Sequence, residues 1–405
     1  MEIIVVGAGI IGQTTARRLS MAGHSVRVVA PRSEPHMAST GNAGTIAPYA
    51  VDPVGTPDVL RDIPRLLFDR SSPLAIHRAS ALRLAPWLLR FLRQSLPVAA
   101  GTNREALAAL LKTAKAEWLE LAQEVGGAGL FRDKGAIYAF DTEAQVAAAK
   151  AMISRRRATQ ISIDTLSASQ LQSLEPGLPS DRFAGGALFP ATLWMTDPAS
   201  MLSKISAQVV AEHIDASVTA LQPKGAGWSV TLDTGKTLTA QAVVIAAGAW
   251  SGRLLRPLGL RIPLTAERGY HLEFDMPLDA QPVTRPVCSP NLGFYFTPMD
   301  GRLRAAGTVE LGGIGAPPSP HRWTRLEEGV RSVFPDLPPP SRRWMGLRPS
   351  IPDSLPVIGP ARPGLITAFG HGHIGLTLAP LTAEHVENAL HGRAVPASSH
   401  PNRFA

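Results

Sequence analysis

The sequence predicts an α/β protein in which a parallel sheet flanked by helices is intergrown with a second, antiparallel sheet. Three observations support this prediction. A strand-turn-helix-strand pattern occupies residues 2–30, runs of strand character follow one another between residues 217 and 309, and a last strand-turn-helix unit closes the chain. A chain of 405 residues with 45% apolar and 18% charged residues is long enough for two globular cores.

The first element is a β-branched strand, residues 2–6, followed by a glycine-rich turn and a helix. A second strand, residues 26–30, completes a βαβ unit, which is the context in which the turn's G-x-G-x-x-G spacing indicates dinucleotide binding. The glycines allow a tight turn and close approach of a pyrophosphate to the free N–H groups of the helix. We predict that the cofactor is held here by Gly7, Gly9, Ile10, Ile11 and Gly12.

The acid that usually binds the adenosine ribose is missing from the end of the second strand, where the chain has Ala30, Pro31 and Arg32. An arginine near this position is found in sites that accept the 2′-phosphate of NADP. The turn by itself therefore leaves FAD and NADP open. We expect Arg32 to contact the cofactor, with Ser33, Glu34 or backbone groups as alternative partners of the ribose.

After an irregular stretch that ends near residue 57, the pattern of residues 60–126 is helical. Its segment 85–96 combines apolar residues at helical spacing with two arginines, namely Trp87, Leu88, Phe91 and Leu92 with Arg90 and Arg93. This face either packs on the core with its arginines exposed or lies on a membrane surface and delivers electrons to a quinone.

The middle of the chain predicts a strand at residues 136–140 and helices at 143–157 and 198–213. The run Arg155, Arg156 and Arg157 is interpreted as a solvated helix face. Strands are expected at residues 217–221, 228–232, 242–247, 268–274, 293–297, 303–309 and 365–369, with a proline-rich linker at 338–340 and a last helix to about residue 390.

Two later segments favour FAD over NADP. The buried strand 242–247 ends at Ala247 and Gly248, whose backbone could lie against the cofactor. The segment GHGHIG offers backbone N–H groups at a helix start, where they would stabilise negative charge on a reduced flavin. The residues expected to do this are Gly372, His373, Ile374 and Gly375. His371 and His373 lack a third ligand at suitable spacing, so no metal site is predicted.

The composition restricts the function classes. The net charge is +8, but no nucleic-acid motif accompanies it, so nucleic acid is not an expected partner. One cysteine, Cys288, excludes an internal disulfide and fits a reducing cytoplasm. No apolar run is long enough to span a bilayer. We expect a cytoplasmic protein, with peripheral contact at the inner membrane face as the alternative.

Five segments carry a resemblance that covers nearly the whole chain: the first glycine turn, STGNAG at 39–44, ERGYH at 267–271, WMGLRPSIPDSLPVIG at 344–359 and GHGHIG at 370–375. With these motifs the sequence resembles the glycine oxidase and D-amino acid oxidase superfamily of FAD-dependent amine oxidoreductases. Within it, the sequence is similar to bacterial D-amino acid dehydrogenases and to the glyphosate oxidoreductase-like branch. Ala30, in place of the usual acid, is the main departure.

The resemblance implies a Rossmann-like FAD-binding domain made of residues 1–58, 194–261 and 344–405. Residues 59–193 and 262–343 would form a substrate-binding domain with an antiparallel sheet and a helical insertion. It also implies flavin contacts from Ser39, Asn42, Ala43 and Gly44, and an adenine contact from Val218.

The resemblance places Arg348 on the substrate side, and the planar fork of an arginine suits a substrate carboxylate. A structural role for Arg348 is the alternative. Tyr270 and His271 are the other expected catalytic residues, and since they are neighbours on a strand, only one should face the site. His271 is favoured.

The expected reaction is oxidative deamination of a D-amino acid, with hydride transfer from Cα to flavin N5 and hydrolysis of the imino acid to a keto acid and ammonia. The alternatives are a glyphosate-like or sarcosine-like N-substituted glycine, D-proline or D-hydroxyproline. A further alternative is a flavin-carrying subunit that acts only with a partner chain. Oxygen, a quinone or a partner protein would take the electrons, and both homo- and hetero-oligomers are compatible with the sequence.

Overall fold

The computed structural model describes residues 1–34, 36–60, 74–76 and 80–404. Residues 61–73 and 77–79 of the predicted helical stretch lie outside this part of the chain. The described residues form a six-stranded sheet, a nine-stranded sheet and two three-stranded sheets. The predicted α/β class, with one parallel and one antiparallel sheet, is confirmed.

The strands of the described residues are, in chain order, β1 (Glu2–Val6), β2 (Ser25–Val29), β3 (Thr45–Ile46), β4 (Leu74–Ile76), β5 (Phe131–Arg132), β6 (Ala136–Phe140), β7 (Asp164–Ser167), β8 (Gly185–Phe189), β9 (Leu193–Met195), β10 (Ala211–Ile214), β11 (Val218–Lys224), β12 (Gly227–Leu232), β13 (Thr237–Ala240), β14 (Ala242–Ile245), β15 (Thr265–Asp275), β16 (Val287–Ser289), β17 (Phe294–Met299), β18 (Arg302–Leu311), β19 (Arg342–Ser350), β20 (Val357–Arg362) and β21 (Leu365–Phe369).

The α-helices whose bounds are described are α1 (Ile10–Met21), α2 (Ala81–Gln94), α3 (Pro97–Leu111), α4 (Ala114–Glu124), α5 (Glu143–Ala158), α6 (Ala168–Leu174), α7 (Pro198–Ala207), α8 (Ser251–Leu255), α9 (Pro320–Arg331) and α10 (Ala379–Leu390). The predicted elements lie within a few residues of observed ones, apart from the helix at 198–213 and the strand β4, which falls in the stretch predicted to be helical. The sequence did not predict the helices α6, α8 and α9, or the strands β3, β5, β7, β8, β9, β10, β13, β16, β19 and β20.

The six-stranded sheet has the order β10-β2-β1-β14-β21-β20, and all its pairs are parallel except β20 with β21. Ile3 of β1 lies between Val26 and Ala242 of its neighbours. Helices α1 and α10 contribute to the core on one face, and the antiparallel sheet β11-β12-β13 contributes to the core on the other. Because both faces are covered, β1 and β14 are continuous apolar runs rather than alternating ones.

The nine-stranded sheet has the order β19-β15-β18-β17-β16-β6-β8-β7, with β4 paired to β18. Its long strand β15 is antiparallel to both β18 and β19, and this register sets Glu267 opposite Arg348. Strands β15, β17 and β18 share an apolar core with helix α9. This sheet forms one side of the site described below.

The helix predicted at residues 198–213 is wrong at its C-terminal end. Helix α7 stops at Ala207, and Ala211–Ile214 forms the edge strand β10, which pairs in parallel with β2. Residues 209–210 are two valines, which favour extended backbone because their branched side chains crowd a helix. Pairing with a distant strand therefore decides this segment.

The amphipathic segment 85–96 belongs to helix α2, whose Trp87 and Phe91 are 7% and 8% exposed and pack together in an apolar cluster. This agrees with the interpretation of a helix packed on the core, although Leu82 and Leu89 on the opposite side are exposed. Where the helices are described, none is both long enough and apolar enough to cross a membrane.

The predicted division into domains remains a prediction. Its boundary at residue 344 falls inside β19 (Arg342–Ser350), a strand of the antiparallel sheet, so a division at the end of that strand would match the sheets better. The two sheets are linked at this point, since His371 forms a bridge with Ser350 immediately after β21.

Candidate functional site

One large cavity, with a volume of about 730 Å³, runs between the ends of the parallel strands and the antiparallel sheet. Its wall is built from segments far apart in the sequence. The lining residues fall within the ranges 6–11, 29–34, 37–52, 216–218, 246–254, 293–309, 344–349 and 368–377, with Tyr138, Arg156 and Tyr270 in addition. Most of the predicted site residues lie on this wall. Those that do not are Gly12, Arg32, Gly44 and His271.

The glycine turn between β1 and α1 is shaped by backbone contacts. Gly7 has a φ of +113°, and a Cβ there would lie 2.4 Å from the carbonyl oxygen of Ala246. A Cβ on Gly12 would lie 1.9 Å from the carbonyl oxygen of Gly7, so Gly12 packs beneath the turn instead of lining the cavity. The first turn of α1 therefore approaches β1 closely and presents its N-terminus to the cavity.

Ser39 completes this N-terminus. Gly9 caps α1 without a side chain, and the Ile10 N–H donates to the Ser39 hydroxyl over 2.9 Å. A Cβ on Gly9 would lie 3.0 Å from the same hydroxyl oxygen. The loop that contains Ser39 is thereby fixed against the glycine turn.

The rest of the 39–44 loop is held by its own side chains. Asn42 donates to the Ser39 carbonyl and accepts from the Gly44 N–H, over 2.6 and 2.7 Å. Gly44, at φ +70°, packs behind the loop, where a Cβ would lie 2.6 Å from the Met195 carbonyl oxygen. Asn42 and Ala43 are left facing the cavity.

The adenosine end differs from the expectation for Arg32. Its side chain is exposed, and it pairs with Asp215 through a backbone hydrogen bond of 2.8 Å and an ion pair of 3.4 Å. Glu34, four residues after Ala30, lines the cavity together with Val218. Glu34 was one of the alternative ribose partners that the sequence left open. The sequence analysis did not identify Asp215 as the partner of Arg32, because Asp215 follows the strand β10, which was not predicted.

Gly248 supplies open space beside the central strands. It has a φ of +53°, and a Cβ there would meet no heavy atom within 4 Å. Together with the open N-terminus of α1, this glycine and Ala247 form a cradle that fits a dinucleotide lying across β1 and β14.

The GHGHIG segment forms a turn, and α10 begins only at Ala379, so the expected helix start at residues 372–375 is wrong. The N–H groups of Gly372 and Ile374 donate to Pro349 and His371 carbonyls. In the described part of the chain, the N–H groups of His373 and Gly375 have no partner, and both residues line the cavity. Backbone donors are therefore present, but fewer than expected.

The two histidines of this segment point in different directions. The Nε2 atom of His371 lies 2.9 Å from the Thr382 hydroxyl, and burial lowers the pKa of His371 to about 3. The side chain of His373 is exposed to the cavity, and burial within the protein lowers its pKa to about 4, helped by the charges of Arg348 and Arg156. Within the described ranges, no group of three potential ligands could hold a metal.

Arg348 lies on β19 with its guanidinium over Gly269 of the adjacent strand, where a Cβ would be 2.5 Å from its Cζ atom. The side chain lines the cavity, and within the described part of the chain it makes no hydrogen bond and no ion pair. Burial lowers its pKa, and the carboxylate of Glu267 on the facing strand opposes that effect. An arginine remains charged in such a site, which leaves a positive charge directed at the cavity.

Tyr270 and His271 face opposite sides of β15, as expected, but it is Tyr270 that lines the cavity. The Tyr270 hydroxyl donates to Glu310 over 2.6 Å and accepts from the Ser319 N–H, so it is already bonded. His271 packs flat against Trp344 and contacts the Gly41 carbonyl through Nδ1. Burial, together with the charge of Arg304, lowers the pKa of His271 to about 3, so it is neutral and structural in character.

The sequence interpretation missed a polar group at another part of the cavity. Arg156 is 7% exposed, although the run of three arginines was interpreted as a solvated helix face. It lines the cavity near three tyrosines, Tyr49, Tyr138 and Tyr295. A possible signal was the spacing from Ala149 through Ile153 to Arg156, which places the arginine on the buried face of α5.

Comparison with known proteins adds independent evidence. The family model described as "FAD dependent oxidoreductase" matches residues 2–389. A D-amino-acid oxidase of Bradyrhizobium diazoefficiens is 32% identical over 421 residues, covering 100% of this chain and 99% of the relative. A D-amino acid dehydrogenase of Cereibacter sphaeroides is 31% identical, with 97% and 92% covered.

Among solved structures, glycine oxidase from Geobacillus kaustophilus superposes with a TM-score of 0.76 at 23% identity, covering 100% of this chain and 98% of that one. The similarity of fold agrees with the two-sheet architecture. Since the family model spans nearly all of the sequence, the NADP alternative raised by Ala30 is not supported, and the dinucleotide is FAD. The chain belongs to the family of FAD-dependent oxidoreductases that also contains the D-amino acid oxidases.

Proposed function

We propose that this chain catalyses the oxidative deamination of a D-amino acid, using FAD. The observation that carries the proposal is the guanidinium of Arg348, which lies in the cavity without a hydrogen-bond or ion-pair partner in the described part of the chain. The side chain is half-buried and lines the cavity, so its charge is open to a ligand and is not neutralised by a hydrogen-bonded carboxylate of the described chain. A substrate carboxylate would compensate it with two parallel hydrogen bonds.

The surroundings of Arg348 support this role. Gly269 leaves the space that the guanidinium occupies, and the carboxylate of Glu267 on the facing strand favours the charged form of Arg348. The surrounding protein and the charges of Arg348 and Arg156 lower the pKa of His373, which favours the neutral imidazole at pH 7. Its imidazole can therefore accept a hydrogen bond from the substrate amine without adding a further positive charge.

The cradle residues would hold the cofactor. The N-terminus of α1 and Ser39 would receive the pyrophosphate, Glu34 the ribose, and the backbone of Ala247 and Gly248 the part that crosses the sheet. When bound, FAD supplies the acceptor for the hydride that leaves the substrate Cα. The protein's own contribution is to fix Cα by its carboxylate and amine, and water then hydrolyses the imino acid product to a keto acid and ammonia.

The names of the relatives support an amino acid as the substrate, because relatives that are 30% to 32% identical are named as a D-amino-acid oxidase and as D-amino acid dehydrogenases. The likeness to glycine oxidase supports the fold alone at 23% identity.

The test uses the purified FAD-loaded chain with an artificial dye acceptor and a panel of D- and L-amino acids and N-substituted glycines. We expect dye reduction with D-amino acids and release of ammonia and the keto acid. Turnover by the isolated chain would exclude a flavin-carrying subunit that needs a partner. If the loaded chain oxidises no member of the panel, the proposal is refuted.

A further inference from the structure

The cavity contains a second cation besides Arg348, and it belongs to a buried ionic group. The carboxylate of Asp52 accepts from Nε of Arg104 over 2.7 Å and from Nε of Arg156 over 2.8 Å. Two cations thus share one anion, and the group keeps a net positive charge. Asp52 and Arg156 line the cavity, whereas Arg104 does not.

Part of the hydrogen-bonding capacity of Arg156 is unused. Its Nε donates to Asp52 and the guanidinium also interacts with the Tyr138 hydroxyl, but its buried Nη1 atom has no hydrogen-bond partner in the described part of the chain. Its guanidinium carbon lies 5.7 Å from the ring centre of Tyr49 and 5.4 Å from those of Tyr138 and Phe189. These rings hold the guanidinium in place but cannot accept hydrogen bonds as strong as those an anion would accept.

A chain of three tyrosine hydroxyls beside Arg156 provides one further hydrogen-bond donor. The Tyr295 hydroxyl donates to that of Tyr138 over 3.2 Å, and it lies 2.9 Å from that of Tyr49. Since Tyr295 has given its only hydrogen to Tyr138, Tyr49 must donate to Tyr295. The hydrogen of Tyr138 is then available to a ligand. Burial raises the pKa of all three hydroxyls, so they remain protonated donors.

Arg348 and Arg156 lie on the wall of the same cavity. The charges of Arg348 and Arg156 both lower the pKa of His373, which is exposed to the cavity. In the order of the sheet, β15 and β18 lie between β19 with Arg348 and β17 with Tyr295, so the two groups occupy different parts of the cavity wall. A ligand that reaches from one end to the other therefore extends well beyond its α-carboxylate.

From this arrangement we infer that Arg156 and Tyr138 form a second anion-binding subsite, and that the substrate is an amino acid or N-substituted glycine carrying a second carboxylate or a phosphonate. The inference rests on the proposed function, in which Arg348 binds the first carboxylate. Arg156 and Tyr138 are positioned to select the substrate rather than to take part in the oxidation.

The turnover test compares pairs of substrates that differ mainly in the second anion, using the FAD-loaded chain and a dye acceptor. The pairs are D-glutamate with D-norvaline and iminodiacetate with N-ethylglycine, and N-(phosphonomethyl)glycine separates a phosphonate from a carboxylate. We expect kcat/KM to be roughly 10- to 100-fold higher for the dianionic member of at least one pair, the range of a hydrogen bond to a charged group. Equal or lower values for both dianions and the phosphonate would overturn the inference.

Two variants and a matched control assign the preference to the subsite. Arg156→Gln and Tyr138→Phe should each reduce kcat/KM for the dianion more than for its neutral partner, with roughly tenfold or greater selectivity loss for the arginine. Arg157→Gln, on the same helix as Arg156, removes an exposed arginine that bonds to the Ile163 carbonyl and does not line the cavity. It should leave the ratio between dianion and neutral substrate unchanged, whatever it does to stability.

Binding separates this inference from the proposed function. Glutarate, 4-phosphonobutyrate and pentanoate can be titrated into the holoprotein while the visible spectrum of its flavin is recorded. Tighter binding of either dianion than of pentanoate, lost in Arg156→Gln or in Tyr138→Phe, supports the subsite even if no amino acid is oxidised. Equal affinity for all three ligands would overturn it even if D-amino acids are oxidised. If Arg156→Gln does not fold, Tyr138→Phe decides alone, since it removes only a hydroxyl.

Discussion

Arg348 owes its expected role to the shape of its side chain as much as to its charge. Its guanidinium lies over Gly269, and a planar fork in that position can bind both oxygens of one carboxylate. A lysine would keep the charge, but its ammonium is a point donor on a flexible stem. The two residues should therefore differ in substrate binding and agree in cofactor binding.

Replacing Arg348 with lysine should keep the FAD spectrum and raise KM for the amino acid roughly 10- to 100-fold, because a bidentate charge-assisted pair is lost. The measurement is steady-state kinetics with the best substrate of the panel. Arg343→Lys on the same strand is the control, since that side chain is 58% exposed and pairs with Glu327 at the surface. An unchanged KM in Arg348→Lys would contradict the carboxylate role.

The roles of single residues were the part of the site that the sequence predicted least well. Arg348 came from a resemblance to known enzymes, because its own neighbourhood on β19 has no pattern that reveals a facing glycine. Arg156 was misinterpreted because it stands between Arg155 and Arg157, and a run of charges usually indicates solvent. Burial of one member of such a run depends on partners far away in sequence, in this case Asp52 and Tyr138.

Among the elements, the turn between β1 and α1 has the narrowest steric tolerance. Gly12→Ala would set a methyl group 1.9 Å from the backbone oxygen of Gly7 and push α1 away from the strand. We expect the free energy of unfolding to fall by about 1–3 kcal/mol and the affinity for FAD to fall with it. Chemical denaturation of the apoprotein and fluorescence titration of FAD measure the two effects.

Gly101→Ala is the matched control for Gly12→Ala, since Gly101 also lies in a helix and a Cβ there meets nothing within 4 Å. It should raise stability by up to about 1 kcal/mol, as glycine is a poor helix former. If Gly12→Ala is as stable as the control and binds FAD normally, the close packing assigned to Gly12 is wrong.

The sequence predicted elements best where a local pattern was complete. The βαβ unit has its strand, turn and helix within about twenty residues, and α5 has a continuous helical pattern with a capping threonine before it. It failed at residues 208–214, where helix and strand patterns overlap and pairing with β2 decides the outcome. The GHGHIG turn was taken for a helix start for a similar reason, since the Gly372 N–H bonds to the carbonyl of the distant Pro349 and not within a helix.

For the whole molecule, the order of the strands in the sheets could not be predicted from local sequence patterns. Strand β1 pairs with β14, more than 200 residues away, and the cavity wall combines segments from both ends of the chain. Such long-range pairings depend on which faces bury one another, and no local periodicity encodes that choice. The resemblance to known enzymes gave the two-sheet architecture because it carries this long-range information.

Since the cofactor cradle joins distant segments, removal of FAD should weaken the whole fold. We expect the apoprotein to unfold at a lower temperature than the FAD-loaded protein, and the difference to grow with added FAD, because a ligand that binds only the folded state stabilises it by mass action. Differential scanning calorimetry at several FAD concentrations measures this. NADP serves as the control and should leave the unfolding temperature unchanged.

The carboxylate of Asp52 has a consequence for anyone who redesigns this site. It binds Arg104 on α3 and Arg156 on α5. The side chain that orients Arg156 therefore also connects these two helices to the loop that contains Asp52. Exchanging Arg156 for an apolar residue would alter both the ligand preference and the attachment of α5. A change of ligand preference at this end of the cavity therefore requires that Asp52 and Arg156 be replaced together. Arg104 then needs a new anionic partner, because its charge would otherwise be left without one.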